Sequence, residues 1–304
     1  MSRLLLEGRG NRQATLVGRG SKLRGDFVIE RISRHGKGGA VLVLLLTALG
    51  SWGAELKPEA TQAFDRYIAE NERRIEREQS KPGSFLSVSR LPEAQRAEAE
   101  ARLRRGEILI EKQEGTPVRL PGALLHHWIG TVFVPGATLQ STLALVQDYD
   151  RLGRYYRPEV IDSRLLARHG DDFHIFMRLR KQKVITVVLD TEYDVHYGRL
   201  DSSHAYSRSR STRVTEIANP GEKGEHALTE KDGHGFLWRL NSYWQFVQIA
   251  DGVMVQCEAI SLTRDVPAGL GWLIEPFVQS LPRESLEFTL RATRDAVRNR
   301  GPHN

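Results

Sequence analysis

The last third of the chain constrains the fold most. Phe236 to Phe246 reads as a long strand, Asp251-Gly252 as a tight turn, and Val253 to Thr263 as a second strand. An Asp-Gly pair supplies the positive-φ positions that join two neighbouring antiparallel strands. A segment rich in Leu, Phe and Val then runs to the end as a helix, with Leu286, Leu290, Thr293 and Val297 on one stripe. Pro276 is expected to interrupt this segment, and Pro282 to take a first helical position. Strand, hairpin, strand and long helix is how a sheet that grips a helix finishes. That arrangement usually encloses an apolar cavity rather than an exposed catalytic surface.

The N-terminus changes how the charge is read. Residues 1–39 carry nine Lys/Arg and three acids, and Ala40 to Leu49 is an uncharged apolar run. Gly50 to Ala54 follows with small residues suited to cleavage after Gly53 or Ala54. This order is that of a secretory signal. The run is short for a span of about 20 residues. Residues 1–54 are therefore expected to be a signal peptide and the mature protein to be periplasmic or secreted. The chain has 44 basic and 38 acidic residues, of which 9 and 3 lie in 1–54, so 55–304 holds 35 of each. The high isoelectric point belongs to the leader, and no basic domain surface points to nucleic acid. Cys257 is the sole cysteine, so no internal disulfide forms. About 250 residues are ample for a core without one.

The mature part reads as two regions, 55–120 and 121–304. Pro58 to Gln79 is helical, with Phe64, Tyr67, Ile68 and Ile75 near helical spacing. Pro92 to Arg105 is a second, charged helix, and Glu107 to Glu111 a short strand. This region is a helical lead-in that packs on the main domain. From Leu124 the order is strand, helix, many strands, helix. The strands are Leu125 to Val134, Val160 to Arg168, Phe173 to Lys181, Val184 to Val195, His204 to Ile217, Leu237 to Ile249 and Val253 to Thr263. Ala137 to Tyr149 is the helix between the first two, and 219–235 is a loop.

Several stretches carry a resemblance. They are Val132-Phe-Val-Pro-Gly-Ala-Thr138, Gln147-Asp-Tyr-Asp150, Tyr156-Arg-Pro-Glu-Val160, Tyr243-Trp-Gln-Phe246 and Ser261-Leu-Thr-Arg-Asp-Val-Pro267. In this order of elements, residues 124–300 resemble the START-like (SRPBCC) superfamily of polyketide cyclases, lipid carriers and coenzyme Q-binding proteins. The resemblance implies an α+β helix-grip fold, with a curved antiparallel sheet of six or seven strands around a long C-terminal helix. It also implies a hydrophobic cavity between the two. The motifs are patterns of fold, so they transfer no reaction.

Strand alternation proposes the cavity face. Phe173, Ile175, Met177 and Leu179 share one face, and Leu189, Thr191 and Tyr193 form a second set. Phe236, Trp238, Leu240, Ser242, Trp244 and Phe246 form a third. Val253, Val255, Cys257, Ala259 and Ser261 are small enough to lie beneath the terminal helix. Ordinary core packing accounts for most of these. The candidate ligand-binding subset is Met177, Leu189, Tyr193, Trp238, Trp244 and Cys257, with Trp238 and Trp244 expected on one face.

The polar features point to structure. Arg208 and Arg210 share a strand face, opposite Ser207, Ser209 and Ser211, and read as a solvated outer row. His126 and His127 point to opposite faces, so they cannot grip one metal. Glu258 sits mid-strand among apolar neighbours; with Arg264 it reads as an ion pair or a polar end to the cavity, structural pairing being favoured over catalysis. No metal, nucleotide or nucleophile signature is present, so no cofactor is expected. Three classes stay open: a non-catalytic carrier of a lipid or other hydrophobic molecule with transient membrane contact, a cyclase- or hydrolase-type enzyme, and an interaction protein with a filled interior.

Overall fold

A computed structural model describes residues 55–81, 83–182, 186–265 and 271–300, without the side chains of 271–279. The leader expectation falls on residues outside these. The described residues all lie in one compact unit, 43–304.

Helix α1 (Pro58–Gln79) begins with Pro at its first position and Glu59 in its first turn, both favourable at a helix start. Its buried residues, Ala60, Phe64, Ile68, Asn71 and Ile75, recur every three or four positions and give one covered face. Helix α2 is Glu93–Arg104. Short strands β1 (Leu109–Lys112) and β2 (Val118–Leu120) both pair with β3 (Ala123–Pro135). The lead-in therefore shares the sheet of the main domain. Thr138 caps α3 (Leu139–Val146) with a reciprocal box to Ser141, and α4 (Leu152–Tyr155) follows.

The sheet continues with β4 (Val160–His169), β5 (Asp172–Gln182), β6 (Thr186–Arg199), β7 (His204–Ala218), β8 (His226–Ala227), β9 (Arg239–Ile249) and β10 (Gly252–Arg264). Its order is β1-β3-β10-β9-β7-β6-β5-β4, with β2 on β3 and β8 on β7, and every pairing is antiparallel. The seven long strands are those expected from the sequence; β1, β2 and β8 bring the sheet to ten. Helix α5 (Gly271–Arg300) is continuous over 30 residues, so neither proline breaks it. Pro282 costs one backbone bond, which the burial of Leu286, Leu290 and Val297 against the sheet outweighs. The chain thus has the α+β helix-grip, START-like fold.

Three apolar layers result. One lies between the concave face of the sheet and α5, α3 and α4. A second lies between the outer face and α1, through Phe64, Ile68, Leu125, Tyr243, Ile260 and Leu262. A third packs α2 on Phe133 and Met254.

The outer face corrects one expectation and extends another. Glu258 pairs with Arg74 of α1 at 2.5 Å and lies 2.8 Å from His127 Nε2, not with Arg264. A helix crossing the strand supplies a partner that no local reading of β10 can see. Arg208 and Arg210 do form an outer row, with Arg210 exposed, and they also bind Glu76 and Glu72 of α1. Tyr243 donates to the same Glu72 at 2.8 Å. His126 and His127 do point to opposite faces, towards Thr263 and towards Tyr67.

Candidate functional site

Register and parity define the concave face. β5 contributes Phe173, Ile175, Met177 and Leu179; β6 contributes Leu189, Thr191, Tyr193, Val195 and Tyr197. β7 contributes Ala205, Ser207, Ser209 and Ser211, opposite its arginines. β9 contributes Leu240, Ser242, Trp244 and Phe246, and β10 contributes Val253, Val255, Cys257 and Ala259.

Helix α5 packs on this face through Leu286, Leu290 and Val297. Gly130 lets it approach: a Cβ there would lie 2.4 Å from Leu290 Cδ1 and 3.2 Å from Leu286 Cδ2. Nearby Phe246, Val255 and Leu290 are wholly buried. The middle strands carry small side chains on this face. Ser209, Ser242 and Ala259 face one another across three strands, and Ser207 aligns with Trp244, which aligns with Cys257. Small side chains in the middle of a curved sheet cannot reach a helix above it. The residues around them are accordingly only half-buried: Met177, Leu179, Leu240, Ser242, Trp244 and Ala259. The apolar ones among them pack against the buried cluster that includes Leu286, Leu290 and Val297 of α5.

The phenols of this layer are held neutral and mostly paired. Tyr149 meets Tyr197 at 2.8 Å, and Tyr156 meets Thr293 at 2.8 Å. Burial pushes Tyr156 up to about 12 and raises Tyr149, Tyr197 and the Cys257 thiol well above their ordinary values. A buried neutral thiol is a poor nucleophile. Tyr193 differs. It is 2% exposed, and its hydroxyl has no hydrogen-bond partner among the described residues.

At the far end, a bulge between Glu192 and Tyr193 shifts the parity of β7, so that Val214 and Glu216 align with Thr191 and Leu189. The buried Glu216 accepts bonds from the His234 and Phe236 backbone N–H groups and lies 2.9 Å from His234 Nδ1. Burial alone would raise its pKa, but these donors bring it below the ordinary carboxylate value. They pin the loop after β8 against the sheet.

Two clefts flank α5. One, of about 470 Å³, is lined by Glu159, Arg180, Lys181, Gln182, Glu284, Glu287, Phe288, Arg291 and Pro158. Phe288 also packs against the concave apolar layer, so this cleft borders it. The other, of about 230 Å³, is lined by Lys112, Thr116, Pro117, His126, Trp128, Ser280 and Arg283.

The six sequence candidates do not all meet. Tyr193 and Cys257 are buried in the concave layer, and Met177 and Trp244 are half-buried at its surface. Leu189 is buried at the end nearest Glu216, in register with Leu179. Trp238 is the exception to the expected pairing of tryptophans. It precedes β9 in a bend and packs in the outer layer with Tyr243, Ile260 and Leu262. Alternation holds only inside a strand, and β9 begins one residue later. Sequence reasoning placed the serines of β7 on one face but gave them no role; the Ser-Arg alternation was the available signal. Among the described residues no group of three metal-capable side chains converges, and no helix is long and apolar enough to cross a membrane.

No family model matches the chain, and no curated protein does. Similar solved structures include a protein of Thermus thermophilus (17% identity, TM-score 0.42, covering 57% of this chain and 97% of that one). A STAR-related lipid transfer protein from Xanthomonas axonopodis overlaps at 19% identity and TM-score 0.40, over 62% of this chain and 98% of that one. The Zhui aromatase/cyclase of a Streptomyces strain overlaps at 12% identity and TM-score 0.40, over 58% and 95%. These overlaps are partial, and the fold assignment rests on the strand order itself. The chain is an α+β helix-grip domain with a row of small residues on its concave face.

Proposed function

We propose that this protein is an exported, non-catalytic carrier of a hydrophobic small molecule or lipid, held between the concave face and α5. The observation that carries the reading is the serine and alanine floor beneath half-buried Trp244, Met177 and Leu240. Filling that space with an apolar molecule removes apolar surface from water at about 25 cal/mol per Å². The titratable groups of the layer favour binding over chemistry, since its phenols and thiol are all pushed towards their neutral forms. The cleft that shares Phe288 with the layer is the proposed entrance. Delivery would involve transient contact with a membrane, and the balanced charge of residues 55–304 gives no footing for nucleic acid.

Trp244 is the reporter. It stacks beside Phe246 with ring centroids 6.1 Å apart and an interplanar angle of 8°. Titration with fatty acids, quinones and sterols should change tryptophan emission saturably for at least one class. Trp244→Phe should remove most of that change while leaving the protein folded. A flat titration across all classes would reject the carrier reading.

A further inference from the structure

We propose that Tyr193 donates a hydrogen bond to an uncharged acceptor oxygen of the bound molecule, such as a ketone, quinone or ester carbonyl. This rests on the reading above that the concave face takes an apolar ligand, and it names the polar feature which that ligand carries.

Buried donors without partners are rare in folded proteins, because removal from water is then uncompensated. Tyr193 is such a donor, 2% exposed, with its hydroxyl inside the concave layer. Burial raises the phenol, and Thr191 on the same face, at hydrogen-bonding range, lowers it, but the two hydroxyls do not meet hydrogen-bond geometry. The Thr191 hydroxyl hydrogen is already given to the Met177 carbonyl at 2.8 Å. The bulge skips Thr212 and places Ser211 opposite Tyr193, next to the Glu192–Arg213 pair. Bulges re-aim side chains, often next to binding sites. Burial holds the phenol near 12, so it stays protonated at neutral pH.

The surroundings fix the class of acceptor. Ile175 and Ser211 flank Tyr193 in register, with Met177 and Thr191 on one neighbouring row and Phe173 and Val195 on the other. None carries a charge. A carboxylate or phosphate at this depth would be buried without a counter-ion, which is strongly unfavourable. A neutral carbonyl oxygen completes the phenol without that cost.

The test compares three probes of one shape: 9-fluorenone, fluorene and fluorene-9-carboxylate, titrated into the purified protein and its Tyr193→Phe variant. The wild type should bind fluorenone about tenfold more tightly than fluorene, the scale of one buried hydrogen bond, and the carboxylate more weakly than either. Tyr193→Phe should bind fluorenone and fluorene alike, at the wild-type affinity for fluorene. Its urea midpoint without ligand should match or exceed that of the wild type, because the lost hydroxyl has no internal partner. Saturable binding with no preference for the ketone, or a preference that survives in Tyr193→Phe, overturns the assignment and leaves the carrier reading standing. A marked loss of ligand-free stability in Tyr193→Phe overturns it too, by revealing an internal partner. Failure of all three probes to bind saturably would sink both.

Discussion

The Arg74 guanidinium reaches Glu258 Oε1 at 2.5 Å, joining α1 to the middle of β10 across 184 positions of sequence. Glu258 is 2% exposed and its partner about a quarter exposed, so the pair is buried on one side and wet on the other. The same guanidinium binds Glu78 at 2.6 Å and Asn71 Oδ1 at 2.8 Å. Removing it leaves a buried carboxylate with only the contact to His127. Arg74→Ala should cost about 3 kcal/mol, the lower end for breaking a buried pair, because one partner is partly hydrated. Urea unfolding checks this. The double variant Arg74→Leu/Glu258→Leu should recover most of the loss, since two apolar groups replace two charges.

Acid stability should decline in two stages. Burial lowers the His126 pKa from 6.5 to about 4. A depressed folded value means the unfolded chain takes the proton first, so this stability is whole above pH 6.5 and is lost as pH falls towards 4. The stake is about 3 kcal/mol. Burial would raise Glu258, but His127 and Arg74 together bring it to about 2. Its contribution is present above the ordinary value of 4.5 and lost as pH falls towards 2. Melting temperatures measured from pH 8 to 2 should show both declines. His126→Leu should flatten the first and Glu258→Gln the second; a profile unchanged by either substitution contradicts the assignment.

Gly130 is where α5 seats on the sheet. In Gly130→Ala the new methyl would meet Leu290 Cδ1 at 2.4 Å and Ile110 Cδ1 at 2.7 Å. Both are side-chain ends and can shift, but within a filled layer. The expected loss is about 1–3 kcal/mol from overpacking, read from the chemical denaturation midpoint. An unchanged midpoint would mean that the helix rests more loosely than described.

Filling the floor separates the proposed ligand space from a packed core. Ser242 is half-buried and lies between Ser209 and Ala259. In Ser242→Leu the larger side chain should occupy the proposed ligand space. Stability should change by less than about 1 kcal/mol or rise, because apolar area is buried without strain, while saturable ligand binding falls at least tenfold. A loss of several kcal/mol would show that no space exists there.

The sequence made the sheet legible because long strands alternate and their turns carry Gly and Asp. Phe173 to Leu179 and Val253 to Ala259 fall on the expected face for that reason. Reading failed where tertiary partners decide. Trp238 lies one residue before β9, where period-two alternation gives no direction. Glu258 takes its partner from a helix whose docking leaves no local mark on β10. Arg208 and Arg210 sit on the outer face as expected, but nothing in β7 shows that Glu76 and Glu72 of α1 will pair with them. The proposed ligand space was hardest to see, since small residues would form it. Ser207, Ser209, Ser242 and Ala259 become a floor only when three strands bring them into register.

The most direct measurement is mass spectrometry of an organic extract from the natively purified protein. The account predicts a hydrophobic molecule bearing a neutral carbonyl, near one per chain in the wild type and strongly depleted in Ser242→Leu. An extract free of any such molecule, from a wild type that also takes up none when offered lipids and quinones, would contradict it.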